Sequence, residues 1–92
     1  MGLEIYNVET KEQVFYINDS EMKRFEAIFD VFNVKYNGLI DLYGDFRLYA
    51  NHQEFLKAAI ESTHTKESTL IEFVKELNKS LLENVVLFVK GD

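Results

Sequence analysis

Few side chains in this sequence are placed to carry chemistry, and the sharpest candidate among them is Asp41. It falls on the apolar face of a predicted strand, where a carboxylate must be paired with a cation, form hydrogen bonds or have its pKa raised. Such a group can act as a general base or as a buried polar residue that sets specificity. The alternatives, which we favour, are an error in strand register, a bulge at Gly38 or Gly44, and a position at the rim of the sheet.

The two histidines are the other residues suited to acid–base or metal chemistry. His52 is expected in the first turn of a helix, where the helix dipole opposes protonation, and His64 in a loop rich in serine and threonine. We expect both to be ordinary exposed histidines. An acid–base pair of Asp41 and His52 would make the chain a small enzyme, which is the least favoured hypothesis.

Motifs for catalysis and cofactor binding are missing from the chain. It contains no cysteine, no glycine-rich phosphate loop, no His-Glu-x-x-His, no Gly-x-Ser-x-Gly and no EF-hand loop. A metal site would therefore need carboxylates for most of its ligands. The sequence predicts a non-enzymatic protein with no catalytic residues, no metal and no cofactor.

Tyrosine placement suggests binding instead. All five tyrosines fall on predicted strands: Tyr6, Tyr16, Tyr36, Tyr43 and Tyr49. Tyrosine is enriched at protein interfaces, but β-propensity alone also places it in strands, and we weigh the two explanations equally. If helices cover one face of the sheet, some of the tyrosines, with Ile40 and Leu42, would line the other.

The charge of the chain limits its partners. Among 92 residues, 16 acids against 10 bases give a net charge of −6. The excess is uneven: −4 before residue 34, neutral over 34–50 and −2 afterwards. An acidic chain is poorly suited to nucleic acid, because that binding depends on neutralising phosphates. We therefore expect a protein partner with a basic surface and no nucleic-acid partner.

Composition also bears on the compartment. The longest uninterrupted apolar run is the five residues of 85–89, too short for a membrane span of about 20 residues. The sequence therefore predicts no membrane partner. The lack of cysteine favours a reducing compartment, and no leader with a basic start and an apolar core is visible, so we expect a cytoplasmic protein.

The first half of the chain predicts a hairpin and a helix. Residues 3–8 and 14–17 are rich in β-formers and flank the polar loop 9–12. Asn18 then precedes Glu21 at the spacing of a capping box, and apolar residues recur at helical spacing over 19–32.

A three-strand meander is predicted next. Asn37-Gly38 favours a type I′ turn and Gly44-Asp45 a type II′ turn, which gives strands at 34–36, 39–43 and 46–50. In that register one face is apolar apart from Asp41. The predicted apolar face is Val34, Tyr36, Leu39, Asp41, Tyr43, Phe46, Leu48 and Ala50.

The remaining elements are two helices and a strand. Helices are predicted at 52–62, where Asn51 and Glu54 have capping-box spacing, and at 67–82, closed by Asn84. Residues 85–90 form a strand whose nearly continuous apolar run indicates an inner position, with a parallel pairing as one option.

Together these elements predict one α+β domain over residues 1–92. Its order is β-β-α-β-β-β-α-α-β, with two layers: a mostly antiparallel sheet with helices on one face.

The function hypothesis follows from charge and tyrosines. We expect a non-catalytic acidic protein-binding module, similar in size and charge to small bacterial and phage inhibitors, immunity proteins and antitoxins. Its predicted contact residues are Tyr43, Tyr49, Asp45 and Asp41. The alternative is a self-associating structural protein, a homodimer that packs through an uncovered sheet face.

Overall fold

The fold is an α+β arrangement of four strands and three helices, seen in a computed structural model that describes residues 2–91. The elements in chain order are β1 (Gly2–Asn7), β2 (Gln13–Asn18), α1 (Met22–Lys35), β3 (Asp45–Leu48), α2 (Ala50–Glu61), α3 (Ser68–Glu83) and β4 (Leu87–Lys90). The strands form one sheet with the order β2-β1-β4-β3, and every pairing is antiparallel. The α+β prediction is therefore confirmed.

The helices pack on one face of the sheet and build a single hydrophobic cluster with it. From α1 the cluster takes Phe25, Ile28, Phe29 and Phe32, at the helical spacing expected from the sequence. Alternate strand residues supply the sheet side of the core: Leu3, Ile5, Ile17, Phe46, Leu48, Leu87 and Val89. The residues between them point to the opposite face, which no helix covers in residues 2–91.

The predicted hairpin forms. β1 and β2 pair with Leu3 opposite Ile17, and the register shifts next to Ile5. Lys11 takes a positive φ of 67° in the connecting turn, and its N–H donates to the Asn7 carbonyl at 2.8 Å. The loop is thus fixed by its backbone, although it contains no glycine.

The helix ends follow local capping signals. The Glu21 N–H donates to Asn18 Oδ1 at 3.0 Å, as the first predicted capping box requires, but helix α1 begins only at Met22. Asn84, with φ 59°, closes α3 as predicted. The second predicted box was displaced by two residues, because the N-cap of α2 is Tyr49 rather than Asn51.

Two of the three meander strands do not form, and this part of the prediction was wrong. Helix α1 continues to Lys35, with Tyr36 as its C-cap, and residues 39–43 form a loop, so β3 is the one strand in this part of the chain. Asn37 and Gly38 do take positive φ, of 56° and 74°. They use it to end the helix, since the Gly38 N–H donates back to the Asn33 carbonyl at 2.9 Å.

The last strand occupies the predicted inner position. β4 lies between β1 and β3 and pairs antiparallel with both, so the parallel option was wrong. Leu87 and Val89 are buried, whereas Phe88 on the other face is only half-buried. Among residues 2–91 no helix has the length and apolarity that crossing a membrane requires.

Candidate binding surface at the β3 edge

Three of the four predicted contact residues meet in one tight turn at the start of β3. Asp41 and Gly44 close the turn, because the Gly44 N–H donates to the Asp41 carbonyl at 3.2 Å. The Asp41 carboxylate accepts the Tyr43 N–H at 2.9 Å. Aspartate at the first position of a turn and glycine at the fourth is a common pattern, and it explains these residue types.

Asp41 is therefore not a buried carboxylate, and its predicted place on the apolar sheet face was wrong. It is exposed in the loop before β3. The alternative of an error in strand register is correct, because the predicted strand that placed Asp41 on an apolar face does not form. An acid–base pair with His52 has no support in the contacts of either residue.

The turn is braced against the end of β4. The Gly91 N–H donates to the Gly44 carbonyl at 3.0 Å and lies 3.3 Å from Asp45 Oδ1. A β-carbon at Gly91 would stand 2.3 Å from the Gly44 oxygen, so only glycine permits this approach. The turn therefore presents its side chains from a fixed backbone.

Tyr43 is the more exposed of the two large hydrophobic side chains in this turn. It is 75% exposed, next to the carboxylates of Asp41 and Asp45. β3 pairs only with β4, so its other edge is unpaired within residues 2–91. We refer to Asp41, Tyr43, Asp45 and Tyr49 together as the β3-edge surface.

Tyr49 lies at the far end of β3, about 13 Å along the strand from Asp45 at roughly 3.3 Å per residue. Its ring is 5.8 Å from the ring of His52, and it is 47% exposed. The structure thus groups Asp41, Tyr43 and Asp45 and leaves Tyr49 separate, beside an aromatic cluster of the helical layer.

That cluster joins the end of α1 to the start of α2. His52 packs edge-on against Tyr36 at 4.7 Å and Phe32 at 5.6 Å between ring centroids. The Tyr49 N–H donates to His52 Nδ1 at 3.1 Å, which satisfies a backbone group at the helix start. His52 is thus half-buried and structural, which corrects the expectation of an exposed side chain, whereas His64 is exposed as expected.

Burial lowers the pKa of His52 below its ordinary value. The folded protein then holds the proton less tightly than the unfolded chain, so stability rises with pH in this range. The stability that depends on a neutral His52 is fully present above the ordinary histidine pKa of about 6.5. It is lost as the pH falls below that value, through the folded-state pKa.

We expect His52→Gln to reduce the loss of stability between pH 7.5 and pH 5.5, since glutamine accepts the same Tyr49 N–H without titrating. Urea unfolding of the wild type and the variant at both pH values measures this difference. His64→Asn is the matched control, because asparagine tolerates the positive φ of 52° and His64 is exposed. Equal losses in the wild type and His52→Gln would contradict the assignment.

The uncovered sheet face holds residues that the sequence reasoning did not connect. Tyr6 and Arg47 are the Cα partners of Phe88, and Glu4 and Asp45 are those of Lys90. The uncovered face that the self-association hypothesis needs is therefore present, but its tyrosines are Tyr6 and Tyr16. The other three predicted strand tyrosines lie in turns or helix caps, and Ile40 is buried in the core.

Little else in the described chain suggests chemistry. No group of three or more His, Cys, Asp or Glu side chains within residues 2–91 is arranged to hold a metal ion. Comparison of the chain with family models, with curated proteins and with solved structures gives no match. A functional assignment therefore has to come from the surface itself.

Proposed function

We propose that this protein is a non-catalytic binding module that engages a partner protein with a basic surface through the β3-edge surface. The observation that carries the proposal is Tyr43, which is 75% exposed on a hydrogen-bonded turn. Inhibition or sequestration of the partner, as by an immunity-type protein, is the activity that fits such a surface. The lack of cysteine suits a reducing compartment, and we propose the cytoplasm.

Tyrosine is suited to this role because it buries a large area at a small entropic cost. A buried aromatic side chain removes about 150 Å² or more from water, which is worth roughly 4 kcal/mol before the costs of association. The backbone of Tyr43 is already fixed by Asp41 and Gly44, so ordering it on binding costs little. Energetic anchors of interfaces are often such aromatic residues.

Charge supports a basic partner. The net charge of −6 would steer a cationic protein towards this chain, and salt would weaken that attraction. At the β3 edge, Asp41 and Asp45 flank Tyr43, and each uses Oδ1 for a backbone hydrogen bond. Their Oδ2 atoms accept no hydrogen bond within residues 2–91, which leaves them available to Lys or Arg of a partner.

Self-association is the second candidate, favoured by the uncovered sheet face. Glu4 and Asp45 flank Lys90 there, and Arg47 lies beside Phe88, so the face carries both signs of charge. Two copies related by a two-fold axis would be able to pair these charges. Light scattering across a concentration series distinguishes the candidates, since a monomer at every concentration contradicts self-association.

The proposed function is tested by comparative capture. Immobilised wild-type protein, Tyr43→Ser and Asp45→Asn are incubated with lysate of the source cells, and retained proteins are quantified by mass spectrometry at 50 and 500 mM NaCl, roughly a tenfold change in ionic strength. We expect a basic protein that the wild type retains at low salt and that both variants and high salt release.

Tyr16→Ser is the matched control. Tyr16 is also an exposed tyrosine, at 42%, but it lies on β2 at the opposite edge of the sheet. We expect this control to retain the same partner as the wild type. Retention of no specific protein, or of a protein unaffected by Tyr43→Ser and by salt, would refute the proposal.

A further inference from the structure

The uncovered face of the sheet contains a shallow depression of about 400 Å³. It lies across the three strands β1, β4 and β3 and the turn that follows β1. Its lining residues are Tyr6, Asn7, Val8, Lys11, Arg47 and Phe88. The volume falls within the range of about 300–1,000 Å³ that is typical of small-ligand sites.

The floor of the depression is aromatic and is held by inner strands. Tyr6 on β1 and Phe88 on β4 are Cα partners, so their side chains stand side by side on the uncovered face. Both are half-buried and belong to no part of the hydrophobic core. Two adjacent aromatic side chains on paired strands offer a surface on which a planar ring can stack.

The rim of the depression is positive, although the protein as a whole is acidic. Arg47 lies directly across from Phe88, and Lys11 stands on the other side of the depression. Within residues 2–91 neither cation forms an ion pair; the two that occur are Arg24–Glu67 and Lys75–Glu72. None of the carboxylates in residues 2–91 lines the depression.

Lys90, on the same face, differs from Arg47 in its cross-strand neighbours. Its two Cα partners are Glu4 and Asp45, so its nearest cross-strand neighbours are acidic, although it forms no ion pair with them. Arg47 has Phe88 as its partner instead. Of these two strand cations, Arg47 at the depression is therefore the one without an acidic Cα partner, whereas Lys90 stands between two.

The neighbouring groups keep the site ordered. The Lys11 backbone is fixed in its turn by the hydrogen bond to Asn7. Tyr6 donates its hydroxyl proton to the Glu4 carboxylate. This hydrogen bond, together with burial and the charge of Glu4, raises the pKa of Tyr6, so the phenol stays neutral. Glu4 borders the site and its charge opposes an anion there.

We propose that this depression binds a small planar anion: an aromatic ring that carries a carboxylate or a phosphate. The ring packs on Tyr6 and Phe88, and the anionic group lies between Lys11 and Arg47. The site is independent of the function proposed above, since none of its lining residues belongs to the β3-edge surface.

The test is an NMR titration of the ¹⁵N-labelled full chain with two probes, 1-naphthoate and AMP, whose arms distinguish carboxylate from phosphate. We expect one or both to shift the amide signals of residues 6–8, 11, 47 and 88 in a saturable manner. The neutral analogues 1-acetylnaphthalene and adenosine bind at least about tenfold more weakly, because they lack the charge. Higher salt weakens the anionic probes.

Single substitutions locate the anion. Arg47→Gln and Lys11→Asn each weaken binding about tenfold, and asparagine preserves the positive φ at position 11. Glu4→Gln strengthens binding by removing a like charge. Lys90→Gln, on the same face but outside the lining, is the matched control and leaves binding unchanged.

Three results would overturn the proposal. The first is equal binding of the neutral analogues, which would leave only apolar contact, and the second is equal loss in Lys90→Gln and Arg47→Gln. The third is a set of probe-induced shifts confined to other parts of the chain. Shifts of these same residues on dilution without a probe would likewise overturn it, because they would assign the face to self-association.

Discussion

Replacing Phe25 by alanine is expected to lower the free energy of unfolding by about 3–5 kcal/mol, because it opens a cavity that the core cannot fill. Phe25 is fully buried, and its ring lies 5.5 Å from Phe29 on the same helix and 5.4 Å from Phe73 on α3. It is thus one of the contacts through which α1 and α3 share one core. Against a total stability of about 5–15 kcal/mol, the loss leaves the chain close to unfolding.

Urea unfolding followed by circular dichroism measures this effect. Val34→Ala is the matched control on the same helix, since Val34 is 86% exposed and its truncation should change stability by less than about 0.5 kcal/mol. A loss below about 1 kcal/mol for Phe25→Ala would contradict the packing described here.

Gln53→Leu is expected to cost about 3 kcal/mol, although leucine is similar in size and more apolar. Gln53 is fully buried in α2. Its Nε2 donates to the Leu48 carbonyl at 2.8 Å and to the Val85 carbonyl at 3.0 Å, and its Oε1 accepts the Ser80 hydroxyl. The amide therefore ties α2 to the end of β3, to the segment just before β4 and to α3, and leucine would leave buried polar groups without partners.

Two comparisons distinguish this network from a general intolerance of substitution. Gln13→Leu changes an exposed glutamine of β2 and should cost less than about 0.5 kcal/mol. Ser80→Ala removes one of the three hydrogen bonds, so the double variant with Gln53→Leu should lose less than the sum of the single variants. Additive losses would contradict a shared network.

Helical spacing alone indicates that Gln53 is buried, but it does not indicate its hydrogen-bond partners. It lies three residues before Leu56 and seven before Ile60, both buried, and therefore shares the apolar face of α2. A polar residue on such a face indicates a buried hydrogen bond. The partners were not predictable, since the Leu48 carbonyl belongs to the end of β3 and the Val85 carbonyl to the segment before β4, which only the tertiary fold brings to α2.

The fold class followed from the sequence because the long periodic segments are unambiguous. The core face of α1 and the spacing of α3 both predict amphipathic helices, and the apolar run before Lys90 predicts an inner strand. The antiparallel sheet with helices on one face then follows from the need to bury those apolar faces together.

The meander failed because a dipeptide preference is compatible with more than one structure. Asn37-Gly38 supplies two residues of positive φ, which a type I′ turn and a helix end can both use. Tertiary contacts decide between them. Tyr36, at the end of α1, packs edge-on against His52 at 4.7 Å and Phe55 at 5.7 Å on α2, and this packing favours continuing the helix to Lys35.

The candidate site was predictable only where its residues are close together in the sequence. Tyr43 and Asp45 were named from a register that does not exist, yet they lie together because they are close in the chain. Tyr49 was named with them as a contact residue, but it lies apart from them, beside His52. The row of Tyr6, Phe88 and Arg47 comes from three strands distant in sequence, and no local pattern predicted it.

The most direct test of the binding proposal is the dissociation constant of the captured partner for the wild type, Tyr43→Ser and Tyr16→Ser, measured by calorimetry at low salt. We predict that Tyr43→Ser weakens binding by about tenfold or more, as for an interface anchor, while Tyr16→Ser binds like the wild type. Equal affinities for Tyr43→Ser and the wild type, or a larger loss in Tyr16→Ser, would contradict binding through the β3-edge surface.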